Sequence, residues 1–420
     1  MAKMMLYNIK TLYTAKGNQA LKGKAMSIIE KLDDAFILID QGKIIKIGER
    51  HQMPYLEPMT SYIDCKNAIA LPGFIDSHTH LVHSGSRESE FAMKLAGMPY
   101  LDILKSGGGI HSTVALTRQA SFEELYDQAK KSLDEMLLLG VTTIEAKSGY
   151  GLNLETELKQ LKVIKALNAN HPIELSPTYL GAHAIPKEYS DNRQSYIFEV
   201  IENMKTVAQM HLAESVDVFC ENEVFSVAET EEILIAAKEM GFQVRLHADE
   251  IHSLGGAGLA VRLNAVSADH LLAIVEEDID RLAQSETIAN LLPQTAFYLN
   301  KPYANARALI DKGAAVAISS DYNPGSAPSE NFQFTMQLAA NKMRLSPAEV
   351  LVASTLNPAV ILGRSHRIGT LEVGKQADIT LLKAPNLEYV LYHFGINHTQ
   401  DVYKNGRLVV KDRQFVKEEL

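Results

Sequence analysis

Two histidines one residue apart, His78 and His80, end a largely apolar run that begins Ile69-Ala70-Leu71-Pro72-Gly73-Phe74-Ile75. In a β-strand positions i and i+2 face the same way, so this spacing sets two imidazoles side by side, aimed into one space. Imidazoles placed like that are ready ligands for a transition metal. An isolated His-x-His is as readily an exposed loop pair, so the partners decide. His247, in His247-Ala248-Asp249-Glu250, and Asp321 each end another apolar run. His78, His80, His247 and Asp321 form a nitrogen-and-oxygen set suited to one divalent ion per chain, Zn2+ or iron (Fe2+ or Fe3+), with room for a water. Such an ion brings the pKa of water from 15.7 to about 7. At roughly 1.4 kcal/mol per unit this is about 12 kcal/mol of deprotonation cost, which no single basic side chain replaces. The set therefore points to hydrolysis. His270 and Glu250 are candidates for proton transfer beside it, and Asp321 counts in the catalytic set as well as among the ligands. His270 would orient or deprotonate the water, and Glu250, three residues past a ligand, would protonate a departing nitrogen. Each has a plainer alternative: a core histidine bonded to backbone, and a carboxylate at a helix start facing the dipole.

These groups need a scaffold that gathers strand ends. Between residues 74 and 321 eight short β-like runs appear, at 74–80, 142–147, 173–180, 216–220, 243–249, 265–270, 288–292 and 315–321. Stretches such as 121–139 and 154–168 lie between them, with apolar residues three and four apart as in a helix. Eight strands alternating with helices predict a TIM (β/α)8 barrel, whose active site lies at the C-terminal ends of the strands. The polar residues follow that rule: His78 and His80, Tyr150, His183, His247 to Glu250, Asp269-His270 and Asp321 all come at or just after run ends. A doubly wound open sheet, the rival architecture, would not explain that placement. The chain ends read differently, as short strands and turns, with a hairpin across Gln41-Gly42 and another across Asn405-Gly406. Neither end can close a β domain alone. The expected organisation is a composite β-sandwich from 1–71 and 367–420, with the barrel over 72–366.

With 420 residues, 46% hydrophobic and 22% charged, the chain has the composition of a globular protein. A net charge of −10 argues against a nucleic-acid partner and offers no basic face to anionic lipid. No apolar stretch is long enough to span a bilayer, and the start, Met1-Ala2-Lys3, lacks a signal pattern. Two cysteines, Cys65 and Cys220, support no disulfide framework, so a cytoplasmic location is expected. An anionic small-molecule substrate would need a positive group supplied locally.

Leu71-Pro-Gly-Phe-Ile-Asp-Ser-His-Thr-His80 and Gly374-Lys-Gln-Ala-Asp378 resemble the amidohydrolase superfamily. His247-x-x-Glu250 with a later strand-six histidine is similar to its one-metal branch, which includes the adenosine and cytosine deaminases. The fourth run ends at Cys220-Glu221, without the lysine that bridges two metals elsewhere in the superfamily, which favours one ion. Five further stretches narrow the resemblance: Ser84-Gly-Ser-Arg87-Glu-Ser-Glu-Phe, Ser106-Gly-Gly-Gly-Ile110, Ala146-Lys-Ser-Gly-Tyr150-Gly, Tyr179-Leu-Gly-Ala-His183 and Asp321-Tyr-Asn-Pro-Gly-Ser326. They are similar to the family that opens the imidazolone ring of 4-imidazolone-5-propanoate to N-formimidoyl-L-glutamate in histidine degradation. The resemblance implies a homodimer and a substrate pocket lined by Arg87, Tyr150, His183, Glu250, Asn323, Gly325 and Ser326. Arg87 makes physical sense, because its fork can hold a carboxylate bidentately. Its plainer fate is pairing with Glu88 or Glu90, and Asn323-Pro324-Gly325 is otherwise an ordinary turn. A heterocycle deaminase and a barrel kept only for binding are the competing functions. The first has no carboxylate for Arg87, and the second has no need of four ligands.

Two glycine clusters are set aside. Gly107-Gly108-Gly109 lacks the Lys-Ser or Lys-Thr of a P-loop and is read as a mobile loop near the barrel mouth, a candidate lid. Gly255-Gly256-Ala257-Gly258 places Val261 where a dinucleotide fingerprint needs glycine.

Overall fold

The structure, a computed structural model, describes residues 3–55, 60–98 and 108–416. Eight strands, Phe74–Asp76, Val141–Lys147, Glu174–Ala182, Ser215–Cys220, Gln243–Ala248, Ser267–His270, Ile288–Leu291 and Val316–Ile318, pair in chain order, each parallel to the next. The last returns to the first through a parallel bridge between Thr79 and Tyr322. Two backbone bonds frame that closure: Asp321 N donates to His78 O at 3.1 Å, and His80 N donates to Tyr322 O at 2.8 Å. The barrel is thus closed at the site itself.

The first and eighth strands are shorter than the expected runs 74–80 and 315–321. Regular ladder stops at Asp76 and Ile318, and beyond it the chain is held by the isolated Thr79–Tyr322 bridge, with Asp321 at φ +58°. The residues beyond continue as chain bonded across the closure, so His78, His80 and Asp321 sit on its rim.

Helices pack outside the barrel. Phe122–Leu138 begins at Ser121, whose hydroxyl accepts from Glu124 N while the Glu124 carboxylate accepts from Ser121 N. Its buried Leu125, Ala129, Leu133 and Met136 recur at helical spacing and face the barrel core. Leu154–Asn170 is capped by Asn153, and Val227–Glu239 by Ser226.

Strands from both chain ends share one mixed nine-stranded sheet. Strand Ile69–Pro72 lies between Met4–Thr14 and Ile379–Leu382, joining the two ends. Leu6, Ile37 and Ile44 bury themselves with Ile379, Leu381 and Tyr403 in a core separate from the barrel's. Both expected hairpins form, with positive φ at Gln41 and Gly42 and at Asn405 and Gly406, the pattern two-residue turns need. Beneath the barrel, Glu174 receives Arg364 Nε at 3.1 Å and Arg367 Nη1 at 2.9 Å, with Lys404 Nζ 3.6 Å away. Lys404 also donates to Asp378 Oδ2 at 2.6 Å within the sheet and to Thr143 Oγ1 at 3.3 Å on a barrel strand, tying the sheet to the barrel floor. No helix among the described residues is long and apolar enough to cross a membrane.

Candidate active site

His78, His80, His247 and Asp321 converge at the barrel mouth, none more than 3% exposed. Asp321 Oδ1 lies 3.5 Å from both His78 Nε2 and His80 Nε2, and His80 Nε2 lies 3.4 Å from His247 Nε2. Ligands held about 2.0–2.2 Å from a tetrahedral ion are separated from one another by about 3.3–3.6 Å, so these spacings are those of a metal cage. Two further features fit. His78 Nε2 is buried with no hydrogen-bond partner among the described residues, aimed into the gap. Its other nitrogen, Nδ1, donates to Asp269 Oδ2 at 2.5 Å, while His247 Nδ1 donates to Asp217 Oδ1 at 3.0 Å. A carboxylate behind each imidazole fixes the tautomer that turns a bare Nε2 to a metal. This His/Asp cluster can hold a metal ion.

Burial pushes His78 and His80 well below the ordinary histidine range, which keeps them neutral and able to ligate. Burial also pulls on His247, but the charge and hydrogen bond of Asp217 outweigh it and leave this ring above its ordinary value. Asp321 is oriented by Thr295, whose hydroxyl donates to Oδ2 at 2.5 Å.

The His270 ring lies 5.1 Å from that of His247, tilted 33° to it, and neither of its nitrogens has a hydrogen-bond partner among the described residues. It is therefore not a core histidine bonded to backbone. Its φ of +79° is costly for a side chain of this size and turns the ring over the cluster. Burial lowers its pKa to about 3, so the ring is a neutral acceptor. Glu250 Oε2 lies 3.7 Å from His270 Nε2. Burial first, and then the Asp321 charge, raise the Glu250 carboxyl to about 8, so it holds a proton at neutral pH. Nor does Glu250 begin a helix. The next helix, Gly256–Arg262, has its first amides bound instead by Asp249, which accepts from Leu254, Gly255, Gly256 and Ala257 at 2.8–3.2 Å. That carboxylate fills the glycine-rich nest that superficially suited a dinucleotide.

Beside this cluster lie the residues expected to line a pocket. His183 stacks on His80 at 4.9 Å and donates Nδ1–H to Gly149 O at 2.9 Å; Tyr150 lies 5.2 Å from His183 between ring centres. Asn323, Gly325 and Ser326 form the turn after Asp321, in which Asn323 Oδ1 accepts from Gly325 N and Ser326 N, each at 2.8 Å. Arg87 reaches that turn, but its fork is not open. Nε and Nη2 bind Glu90 at 3.0 and 2.9 Å, the plainer fate, while Nη1 packs against Gly325, where a Cβ would collide with it. Of the triglycine segment, Gly107 lies outside the described residues, and the lid reading with it; Gly109 precedes helix Ile110–Gln119.

Sequence reasoning missed the charged layer beneath the cluster. Lys147 Nζ pairs with Glu145 at 2.7 Å and Asp217 at 2.8 Å, and Arg245 Nη1 donates to Ser77 O at 3.0 Å, all fully buried. The signal was present: Glu145 and Lys147, and Arg245 and His247, are charged or polar at i and i+2 in otherwise apolar strands, so each pair faces the barrel axis.

A family model described as "Amidohydrolase family" matches residues 69–409. The fold agrees: a zinc-bound adenosine deaminase from Xanthomonas campestris superposes with TM-score 0.72 at 18% identity, covering 99% of this chain and 94% of that one. N-isopropylammelide isopropylaminohydrolase from Burkholderia multivorans gives 0.71 at 18% identity, covering 99% and 100%. Fold and site together define an amidohydrolase. Among curated relatives, imidazolonepropionase of Fusobacterium nucleatum is 52% identical over 98% of this chain and 99% of its own. Those of Alkaliphilus metalliredigens and Streptococcus gordonii are 49% and 50% identical, over 98% of both chains and over 94% and 95%. The chain belongs to the imidazolonepropionase family of amidohydrolases.

Proposed function

We propose that the chain hydrolyses 4-imidazolone-5-propanoate to N-formimidoyl-L-glutamate, a step of histidine degradation, with one Zn2+ or iron ion held by His78, His80, His247 and Asp321. The observations that support the metal-dependent reading are the 3.5 Å spacings of Asp321 Oδ1 from His78 Nε2 and His80 Nε2 and the 3.4 Å spacing of His80 Nε2 from His247 Nε2. The substrate rests on the relatives' shared name at about half identity over nearly the whole chain.

A bound ion supplies water acidic enough to attack at neutral pH. Attack at the ring carbonyl carbon and rupture of its bond to the ring nitrogen leave a carboxylate on carbon and require a proton on nitrogen. In this reading Glu250, protonated at neutral pH, gives that proton. His270, neutral and unpartnered, accepts a hydrogen bond from the attacking water and sets its direction. Arg87 meets the propanoate carboxylate through its Nη1 edge, at the turn of Asn323, Gly325 and Ser326. Tyr150 and His183 wall the ring against His80.

The enzyme is read as a cytoplasmic homodimer without a nucleic-acid partner. Buried, unpaired Cys65 and Cys220 support the compartment, the net charge of −10 supports the lack of nucleic acid, and the dimer rests on the family resemblance. The test is turnover of freshly made imidazolonepropionate by protein of known metal content. Ring opening in proportion to bound ion is expected. Metal-loaded protein that leaves the ring intact would refute the proposal.

A further inference from the structure

Arg87 is the group that this reading assigns to the substrate carboxylate, and the structure shows what sets its position. A guanidinium presents a side edge, Nε with one Nη, and an end edge formed by the two Nη groups. Glu90 occupies the side edge with both oxygens, at 3.0 and 2.9 Å. Only the Nη1 side is turned toward Gly325 and the rim of the pocket. Glu90 is itself 5% exposed and is not spent on Arg87 alone. Its Oε1 also accepts from Gly109 N at 2.9 Å and from Ser112 Oγ at 3.3 Å, at the start of helix Ile110–Gln119. Burial opposes its charge, and Arg87 together with Gly109 N and Ser112 outweighs that opposition, so the carboxyl stays ionised.

A long arginine side chain loses rotamer freedom when it grips a ligand, and that loss weakens binding unless the grip is formed in advance. We propose that Glu90 is a positioning residue for Arg87. It locks the guanidinium with its Nη1 edge toward the pocket, so that a substrate carboxylate is held end-on and the scissile ring is aligned with Glu250 and His270. The inference deepens the functional reading and rests on it for the identity of the ligand. It also accounts for Gly325, since any side chain there would push Arg87 off this seat.

The test is a double-mutant cycle in the metal-loaded enzyme, with Glu90→Ala, Arg87→Ala and both together. If Glu90 acts through Arg87, Glu90→Ala lowers kcat/KM about tenfold alone and by less than about twofold when Arg87 is already alanine. Glu90→Gln, which keeps one oxygen for Arg87, recovers part of the loss. Equal losses in both backgrounds would assign Glu90 to the Gly109 helix start and overturn the proposal, as would no loss in the single variant. A crystal structure of Glu90→Ala decides the point without substrate: Arg87 should leave Gly325, and an unmoved guanidinium contradicts the claim. Should the wild-type enzyme not open imidazolonepropionate, the functional reading falls, and the crystal structure still judges the positioning of Arg87.

Discussion

At the floor of the barrel Glu174 is surrounded by Arg364, Arg367 and Lys404, and Lys404 is answered in turn by Asp378. At the mouth, the nitrogens of His270 and the Nε2 of His78 are more deeply buried and have no hydrogen-bond partner among the described residues. The residue types at the two ends overlap, but their accounts of charge do not. The floor saturates each charged group with a partner, which is what stability asks of buried ions. At the mouth, donors and acceptors are left aimed at a shared space, a cost that a fold bears where a ligand will complete it. Three residues at strand ends of the mouth, Asp249, His270 and Asp321, also take positive φ, of +49°, +79° and +58°.

The largest effect expected from breaking that contrast comes from the proposed metal ligands. His247→Ala or Asp321→Asn should abolish bound metal and lower kcat by about three orders of magnitude or more, read by elemental analysis and turnover on the same sample. Next come the proton-handling groups. Glu250→Gln and His270→Ala should keep the metal while kcat falls by about 10²–10⁴. Loss of metal in either would move that residue into the ligand set.

Glu174→Gln probes the opposite end. It should leave kcat within about twofold and cost about 1–3 kcal/mol, seen as a lower midpoint in denaturant. Burial opposes the Glu174 charge, yet Arg367, Lys404 and Arg364 draw its pKa from 4.5 down to about 2. A folded-state value below the unfolded one gives stability that is fully present above pH 4.5 and is lost as pH falls through about 2. Wild type should therefore lose stability across that acid window, and Glu174→Gln should lose less. The smallest effect is at Cys220, whose thiol burial raises to about 11. Cys220→Ala should leave turnover essentially unchanged, because a thiol so held is not a nucleophile. Abolished turnover would reveal an unforeseen role.

Much of this was legible because strand periodicity and the barrel's polarity are both encoded locally. His78, His80, His247 and Asp321 could be placed at one mouth from run ends alone, and the turns at Gln41-Gly42 and Asn405-Gly406 from residue type. What was not legible depends on partners distant in the chain. Asp217 and Asp269 stand behind His247 and His78 across strands, at separations of 30 and 191 residues. The early end of the first strand is decided by its closure with Tyr322, not by its own apolar residues. Arg87 could be read as either a carboxylate grip or a surface pair, and only the placement of Glu90 and Gly325 shows that the pair forms with Nη1 left against the turn at Gly325. Glu250 gained its proton from burial and from Asp321, which lies 71 positions away.

The most direct measurement is anomalous diffraction at the absorption edge of the bound ion in crystals of the loaded protein. One peak is expected, about 2.0–2.2 Å from Nε2 of His78, His80 and His247 and from a carboxylate oxygen of Asp321. A peak elsewhere, or a second ion bridged to the first, would contradict the single-ion centre on which the account depends.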